Sequence, residues 1–325
     1  MTADAAQAAV MPEAVSPPGP RKKLRTSTSR RLRRVRRGRR DRAGYLFLLP
    51  WFVGMLFTVV PFFASLYLAF TDYNLLNTPE WIGLENFTAM FSDPALLQSL
   101  KVTFVYTFVS VPLSLAAALG VAMILNRGIR GLPWYRAVFY LPSLLGASVA
   151  VVLLWRYIFG LNGVVNAFLG RFGVERIAWT SDPDYALTTL IILHVWTFGS
   201  PMVIFLAGLR QIPVMYYEAA AVDGASKWRR FRSITLPLLS PIIFFNLIQS
   251  LIASFQTFTQ GFVMNNGGGG PANSTLFYNL YLYQQGFNQF NMGYASAMAW
   301  TLLVIIAAFT ALTFISAKYW VNYDN

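Results

Sequence analysis

The stretch that decides the fold is Glu218-Ala219-Ala220-Ala221-Val222-Asp223-Gly224, followed by ASKWRRFRSITLP up to Pro237. It lies between two long apolar runs and carries too many charged residues to cross a lipid bilayer, so it is a loop outside the membrane. Pro213 suits the first turn of a helix, where its missing N–H needs no partner, and Gly224 suits the left-handed residue that ends one. The sequence therefore predicts a helix of about three turns over residues 213–224. Its consecutive alanines keep it thin enough to fit closely against another surface.

The composition indicates a polytopic membrane protein. The 325 residues are 56% hydrophobic and only 12% charged, which is too apolar for an ordinary soluble domain. The chain has no cysteine and a single histidine, His194, so it offers no cysteine or histidine cluster for a metal. Because no glycine-rich loop is followed by Lys-Ser or Lys-Thr, ATP and Mg²⁺ would have to bind a partner chain. We therefore expect no catalytic residue, cofactor site or metal site.

Six stretches are long and apolar enough to span the membrane, which takes about 20 helical residues. Several contain proline, which membrane helices tolerate as a kink when neighbours satisfy the freed backbone groups. The sequence therefore predicts an all-α protein with a membrane domain over residues 44–320. We place its six transmembrane helices at about Tyr45–Phe70, Leu97–Leu125, Trp134–Phe159, Tyr185–Leu209, Ile234–Met264 and Met292–Tyr319.

The distribution of charge orients these helices. If successive spans cross the membrane in opposite directions, 22 of the 26 Lys and Arg residues fall on one side of the membrane, whereas most of the acidic residues fall on the other side. Basic residues near the ends of membrane helices stay in the cytoplasm. This predicts that both termini, including the short C-terminal segment 321–325, are cytoplasmic. The loop around Glu218 is then cytoplasmic too, in a multi-pass protein of a bacterial-type inner membrane.

Half of the basic residues lie in Arg21–Arg42, within a polar segment, 1–43, that we expect to be a disordered cytoplasmic tail. Its simplest role is to hold the N-terminus inside, and binding to anionic membrane lipids is compatible with that role. Nucleic-acid binding is disfavoured, because the tail lacks interleaved aromatic residues and a folded scaffold.

The loop resembles a known signature. From Glu218 to Pro237 the sequence has the pattern Glu-Ala-Ala, three residues, Gly, nine residues, Ile, one residue and Leu-Pro. This pattern is similar to the loop of permease subunits of binding-protein-dependent ABC importers. Further segments, such as Trp81–Phe87, Phe139–Pro142 and Met292–Ala299, resemble the compact six-helix carbohydrate permeases related to the maltose system. The resemblance implies a coupling helix that docks on an ATP-hydrolysing subunit. The residues it assigns to coupling are Glu218, Ala219, Ala220, Asp223, Gly224, Ile234, Leu236 and Pro237.

The same resemblance implies the partners and the mechanism. The implied partners are an ATP-binding cassette ATPase dimer, a second related permease subunit and an extracytoplasmic substrate-binding protein. ATP-driven closure of the ATPase would move the coupling helix, and rocking of the helices would open the path to each side in turn. The function expected is import of a sugar or sugar-like solute.

Polar residues in the apolar spans are candidates for the substrate path. On one continuous fifth helix, Asn246, Gln249, Gln256 and Gln260 fall within an arc of about 80°. Amides facing lipid would be unpaired, so this face meets protein or water, either to bond between helices or to bind sugar hydroxyls. His194 in the fourth span is a further candidate, since an ionisable residue inside a membrane is often functional.

Two other functions stay open. The same loop serves importers of other solutes, such as glycerol phosphate, polyamines or phosphate, although neutral amides favour hydroxyl groups over charged ones. More remotely, the chain could be a membrane enzyme that acts on lipid-linked sugars. That enzyme would need a carboxylate pair or metal cluster, and the acidic residues from Asp72 to Asp93 lack metal-ligand spacing.

Overall fold

A computed structural model describes residues 28–128, 130–146 and 148–322, with side chains from Phe47 onward. The chain divides within its first helix into two units, 1–61 and 62–325. The helices are α1 Thr28–Leu68, α2 Glu85–Ala89, α3 Pro94–Leu125, α4 Leu132–Leu145, α5 Val149–Ile158, α6 Val164–Gly170, α7 Pro183–Trp196, α8 Gly199–Gln211, α9 Val214–Val222, α10 Lys227–Arg230, α11 Leu236–Phe255, α12 Thr259–Met264, α13 Tyr278–Tyr283 and α14 Met292–Trp320. Strands β1 Thr71–Asp72 and β2 Glu80–Trp81 pair antiparallel.

The predicted all-α membrane fold is confirmed. Among the described residues, five helical stretches are long and apolar enough to cross a bilayer, and a bent pair makes a sixth if it counts as one span. The five are Phe47–Leu68, Pro94–Leu125, Pro183–Gln211, Lys227–Phe255 and Met292–Trp320. The orientation of the termini stays a prediction, and residues 323–325 lie outside the described part.

The third span differs from the continuous helix expected over 134–159. It consists of α4 and α5, bent by 101° at the break between them. Ser148 caps α5 by accepting a hydrogen bond from the N–H of Val151, which favours a new helix start there. At the end of α4, a side chain at Gly146 would collide with Thr197, so the glycine permits close contact with the break between α7 and α8.

The fifth span also differs from its expected limits. It begins earlier, because α10, a π-helical turn over Phe231–Thr235 and α11 form one stretch from Lys227. It ends earlier too, at Phe255, and α12 is a separate helix. The π turn follows from Pro237, which has no N–H to continue the regular ladder, while Leu236 N–H bonds to the carbonyl of Phe231.

Helix α1 extends further towards the N-terminus than the predicted span. It includes residues 28–43, which the sequence analysis assigned to the disordered tail. Arginine, which makes up nine of these sixteen residues, has high helix propensity, and the first proline of the helix is Pro50. Residues 1–27 of the predicted tail lie outside the described residues.

Helix α3 is central to the second unit. It contacts α7, α8, α11 and α13. One buried cluster gathers around Tyr106 of α3 with Leu190 and Phe277, and a second gathers around Val111 of α3 with Phe205 and Leu239. The outer surfaces are apolar as well, as expected for surfaces that face lipid or partner subunits.

Candidate functional site

Helix α9 forms where the sequence predicts a short helix outside the membrane. Its end is a Schellman turn, in which Gly224 takes a left-handed conformation with φ +75°. The N–H of Gly224 donates to the carbonyl of Ala221 at 3.1 Å, and the N–H of Ala225 donates to the carbonyl of Ala220 at 2.8 Å. The predicted helix stop is therefore present, and it depends on a residue without Cβ strain.

The outer face of α9 is apolar and exposed. Val214 and Met215 are each 66% exposed, and Val222 is 89% exposed. Glu218 is exposed beside them. An apolar patch on a segment too polar to enter lipid is typical of a protein contact surface.

The inner face of α9 contacts the helix bundle through Tyr217. Tyr217 is half-buried in the second core cluster, and its hydroxyl lies 2.9 Å from Oγ1 of the buried Thr235, at the start of α11. Ile234 packs in the same cluster. Helix α9 is thus in direct contact with the start of the fifth span.

The other residues assigned to coupling lie as follows. Ala219 and Asp223 are exposed, and Ala220 is half-buried. Leu236 and Pro237 are half-buried at the start of α11.

The four amides of the fifth span do not form a single stripe, so that part of the sequence prediction is wrong. The arc of 80° required one continuous helix, and the helix ends at Gln256, whose φ and ψ are −91° and 9°. Gln260 belongs to α12 beyond the break. Asn246 is buried and donates to the carbonyl of Ile242 within its own helix at 3.0 Å, whereas Gln249 is exposed.

A groove of about 820 Å³ gathers a different set of polar groups. Gln256 lines it together with Asn279 of α13 and Thr310 of α14, and the rest of its wall is mostly the apolar face of α14. Among the described residues that line the groove, no side chain carries a charge. Such a lining offers hydrogen bonds to hydroxyl groups beside apolar contacts.

Asn279 was missed by the sequence reasoning. It stands in the run LFYNLYLY over residues 276–283. A lone amide among aromatic residues was the available signal.

His194 lies away from this groove. Its Nδ1 is 3.2 Å from the hydroxyl of Tyr106, and that fully buried tyrosine packs edge-on against Phe277 in the first core cluster. The histidine is not among the residues that line the groove. Its observed contacts are those of an interior hydrogen-bonded pair.

A second polar cluster joins the start of α3 to α13 and α14. Oδ1 of Asp93 accepts hydrogen bonds from two N–H groups of α3, while its Oδ2 accepts from Tyr281 at 2.7 Å and Tyr294 at 2.8 Å. Gln285 donates to Tyr281 in turn. The sequence reasoning missed this cluster, because the two tyrosines are 188 and 201 positions from Asp93.

The titration of this cluster follows from its bonds. Burial acts to raise the pKa of Asp93, but the hydrogen bonds from the tyrosines and the backbone outweigh it and lower the pKa below the ordinary 3.8. Burial and the bond to Asp93 raise the pKa of Tyr281 to about 12. At neutral pH the carboxylate is therefore charged and the tyrosine is a proton donor.

The family model described as the inner membrane component of binding-protein-dependent transport systems matches residues 45–321. The chain belongs to this family. It is thus a permease subunit, as the loop signature indicates.

Individual relatives cover most of the permease. It is 54% identical over 286 residues to a probable ABC transporter permease protein, YesP of Bacillus subtilis, covering 87% of this chain and 93% of that protein. It is 33% identical to the lactose transport system permease protein LacF of Rhizobium radiobacter, covering 86% and 95%. A crystal structure of a bacterial alginate ABC transporter, with a periplasmic protein bound to an alginate pentasaccharide, matches with a TM-score of 0.73. That match has 21% identity, covers 86% of this chain and 95% of the other, and supports the fold.

Proposed function

We propose that this permease forms half of the membrane pathway of an ATP-driven importer that carries a sugar or sugar-like solute into the cell. The observation that carries the proposal is the groove with Gln256, Asn279 and Thr310, which presents neutral donors and acceptors beside an apolar wall. Sugars have hydroxyl groups around a ring with apolar C–H faces, so this lining suits them. The likeness to a lactose permease supports the same class of solute.

Energy for transport would come from an ATPase dimer seated on α9. The exposed apolar face of Val214, Met215 and Val222 would enter a groove of that subunit, and Glu218 would pair with one of its basic residues. A second related permease would complete the pathway, and an extracytoplasmic binding protein would deliver the solute. ATP and Mg²⁺ would be bound by the ATPase and not by this chain.

The absence of cysteine from the sequence makes the topology directly testable. Ala221→Cys places a thiol on the exposed surface of α9, and Ala272→Cys places one on the exposed loop after α12. In intact cells, a membrane-impermeant maleimide should label only the second variant, and permeabilised cells should label both. Labelling of Ala221→Cys from outside would refute the assignment of α9 to coupling.

The class of solute is tested through the partners. The full-length chain is extracted in mild detergent, and the subunits that co-purify are identified by mass spectrometry. The external binding protein is then screened by thermal shift with neutral mono- and oligosaccharides, sn-glycerol 3-phosphate, spermidine and inorganic phosphate. Stabilisation by a neutral saccharide supports the proposal, whereas stabilisation by a charged solute alone contradicts it.

A further inference from the structure

A second cavity, separate from the groove, lies behind α9 where three spans end. Its volume is about 420 Å³. Its walls come from the end of α3, the end of α8, the inner side of α9 and the segment that leads into α11. The residues that line it are Met123, Asn126, Arg127, Leu209, Tyr217, Lys227, Arg230, Phe231 and Thr235.

The lining of this cavity combines cationic and apolar side chains. Arg127, Lys227 and Arg230 provide three cationic groups, and no carboxylate is present among the described residues that line it. Met123, Leu209 and Phe231 make the remaining wall largely apolar. Three positive charges beside an apolar wall are complementary to an anionic headgroup with an acyl chain, and basic pockets between membrane helices bind such lipids.

We propose that this cavity binds one anionic phospholipid of the leaflet that faces α9. The phosphate is held by the three cations Arg127, Lys227 and Arg230, and the first part of an acyl chain lies against Met123 and Leu209. A lipid in this cavity touches Tyr217 and so supports the position of α9. Lipid binding itself does not depend on the proposed import function, but its effect on coupling through α9 does.

The position of the cavity favours a lipid over a soluble phosphate compound. It lies at the C-terminal ends of α3 and α8 and at the N-terminal end of the stretch that contains α11. All three are parts of candidate spans, so the cavity is next to the membrane surface. Half-buried Arg230 and Phe231 sit on the continuous helix that enters the membrane as α11. A free phosphate would gain nothing from the apolar wall.

The test uses the full-length permease purified in mild detergent and native mass spectrometry with added phosphatidylglycerol. The double variant Lys227→Gln/Arg230→Gln removes two cations from the cavity. The matched control Arg229→Gln/Arg232→Gln removes two exposed cations from the same segment that do not line it. Each basic residue near anionic lipid contributes about fivefold in affinity, so the first variant should bind about 25-fold more weakly and the control should match the native chain.

Three results would overturn the proposal. Equal losses in both double variants would mean that only general surface charge attracts the lipid. Displacement of phosphatidylglycerol by millimolar inorganic phosphate would mean that the apolar wall makes no contribution. Unchanged lipid binding in the cavity variant, with loss of the co-purifying ATPase, would assign these cations to the subunit contact. Because lipid binding is measured without transport, its failure is distinguishable from a failure of the proposed import function.

Discussion

The Schellman turn at the end of α9 allows a local perturbation with a calculable cost. In Gly224→Ala, a Cβ would meet no heavy atom within 4 Å, so the substitution creates no clash. The penalty is that of the backbone alone, because φ at this position is +75°. A left-handed non-glycine residue costs about 1 to 2 kcal/mol. This corresponds to a change of about 5- to 30-fold in the equilibrium between the closed and the frayed helix end.

Hydrogen exchange measures this equilibrium at the affected groups. The N–H groups of Gly224 and Ala225 are bonded to carbonyl groups of α9, so fraying exposes them. In Gly224→Ala, we expect the N–H groups of residues 224 and 225 to exchange about 5- to 30-fold faster than in the native chain. In Gly224→Asn, the exchange rates of these N–H groups should lie between those of the native chain and those of Gly224→Ala, since asparagine tolerates the left-handed conformation better than alanine.

A matched substitution separates the local effect from general strain. Gly173 has φ +76°, and a Cβ there would also meet nothing within 4 Å, but it lies in the loop after α6. Gly173→Ala should therefore leave exchange at Ala225 and the ATPase activity of the assembled importer unchanged, while Gly224→Ala lowers that activity. Native exchange at Ala225 in Gly224→Ala would refute the role of the turn, and equal losses of activity in both variants would refute a specific role in coupling.

Other side chains give three further tests. Tyr217→Phe removes the hydroxyl that ties α9 to the bundle and should cost about 1 kcal/mol of stability in thermal unfolding, whereas Tyr216→Phe, on the exposed side, should not. Asp93→Asn should lower the unfolding temperature at neutral pH, because two tyrosines lose a charged acceptor. Since the pKa of Asp93 is lowered in the folded state, the stability that its charge contributes is present above pH 3.8 and is lost as the pH falls further. The unfolding temperatures of the variant and the native chain should therefore converge below pH 3.8. Asn279→Ala should reduce solute uptake by about tenfold, from the loss of hydrogen bonds in the groove, whereas Gln249→Ala, which removes an exposed amide outside it, should have little effect; equal uptake in the two variants would contradict the assignment of the groove.

The sequence predicts the parts of this fold that depend on local physics. Apolar length identifies the spans, and the left-handed preference of glycine places the end of α9 at Gly224. Both are properties of residues close together in the chain. The bend between α4 and α5 is only partly of this kind: Ser148 is a local signal for a helix start, whereas the close approach of Gly146 to Thr197, 51 positions later, is not visible in the sequence.

The site shows the same limit. The arc of amides was calculated for a continuous helix, and the chain breaks after Phe255, where α12 packs against the Phe277 segment instead of extending α11. Consequently Gln256 faces a groove with Asn279, a residue from another helix. The sequence identifies Gln256 as an amide at the end of an apolar span, but only the tertiary structure brings Asn279 next to it.

The two candidate sites are joined by one helical stretch. Lys227–Phe255 contains 29 residues and is about 43 Å long, which exceeds the thickness of the hydrocarbon core. Thr235, eight residues into this stretch, is hydrogen-bonded to Tyr217 of α9, and Phe255, its last residue, directly precedes Gln256 in the groove. Because a helix resists compression and bending more than a loop does, the proposed coupling would act along this stretch, from the contact of α9 with Thr235 to the groove wall at Gln256. Two features interrupt the regular α-helical hydrogen bonds of this stretch, the π turn before Pro237 and Pro241 inside α11, so bending under load would concentrate between residues 231 and 241.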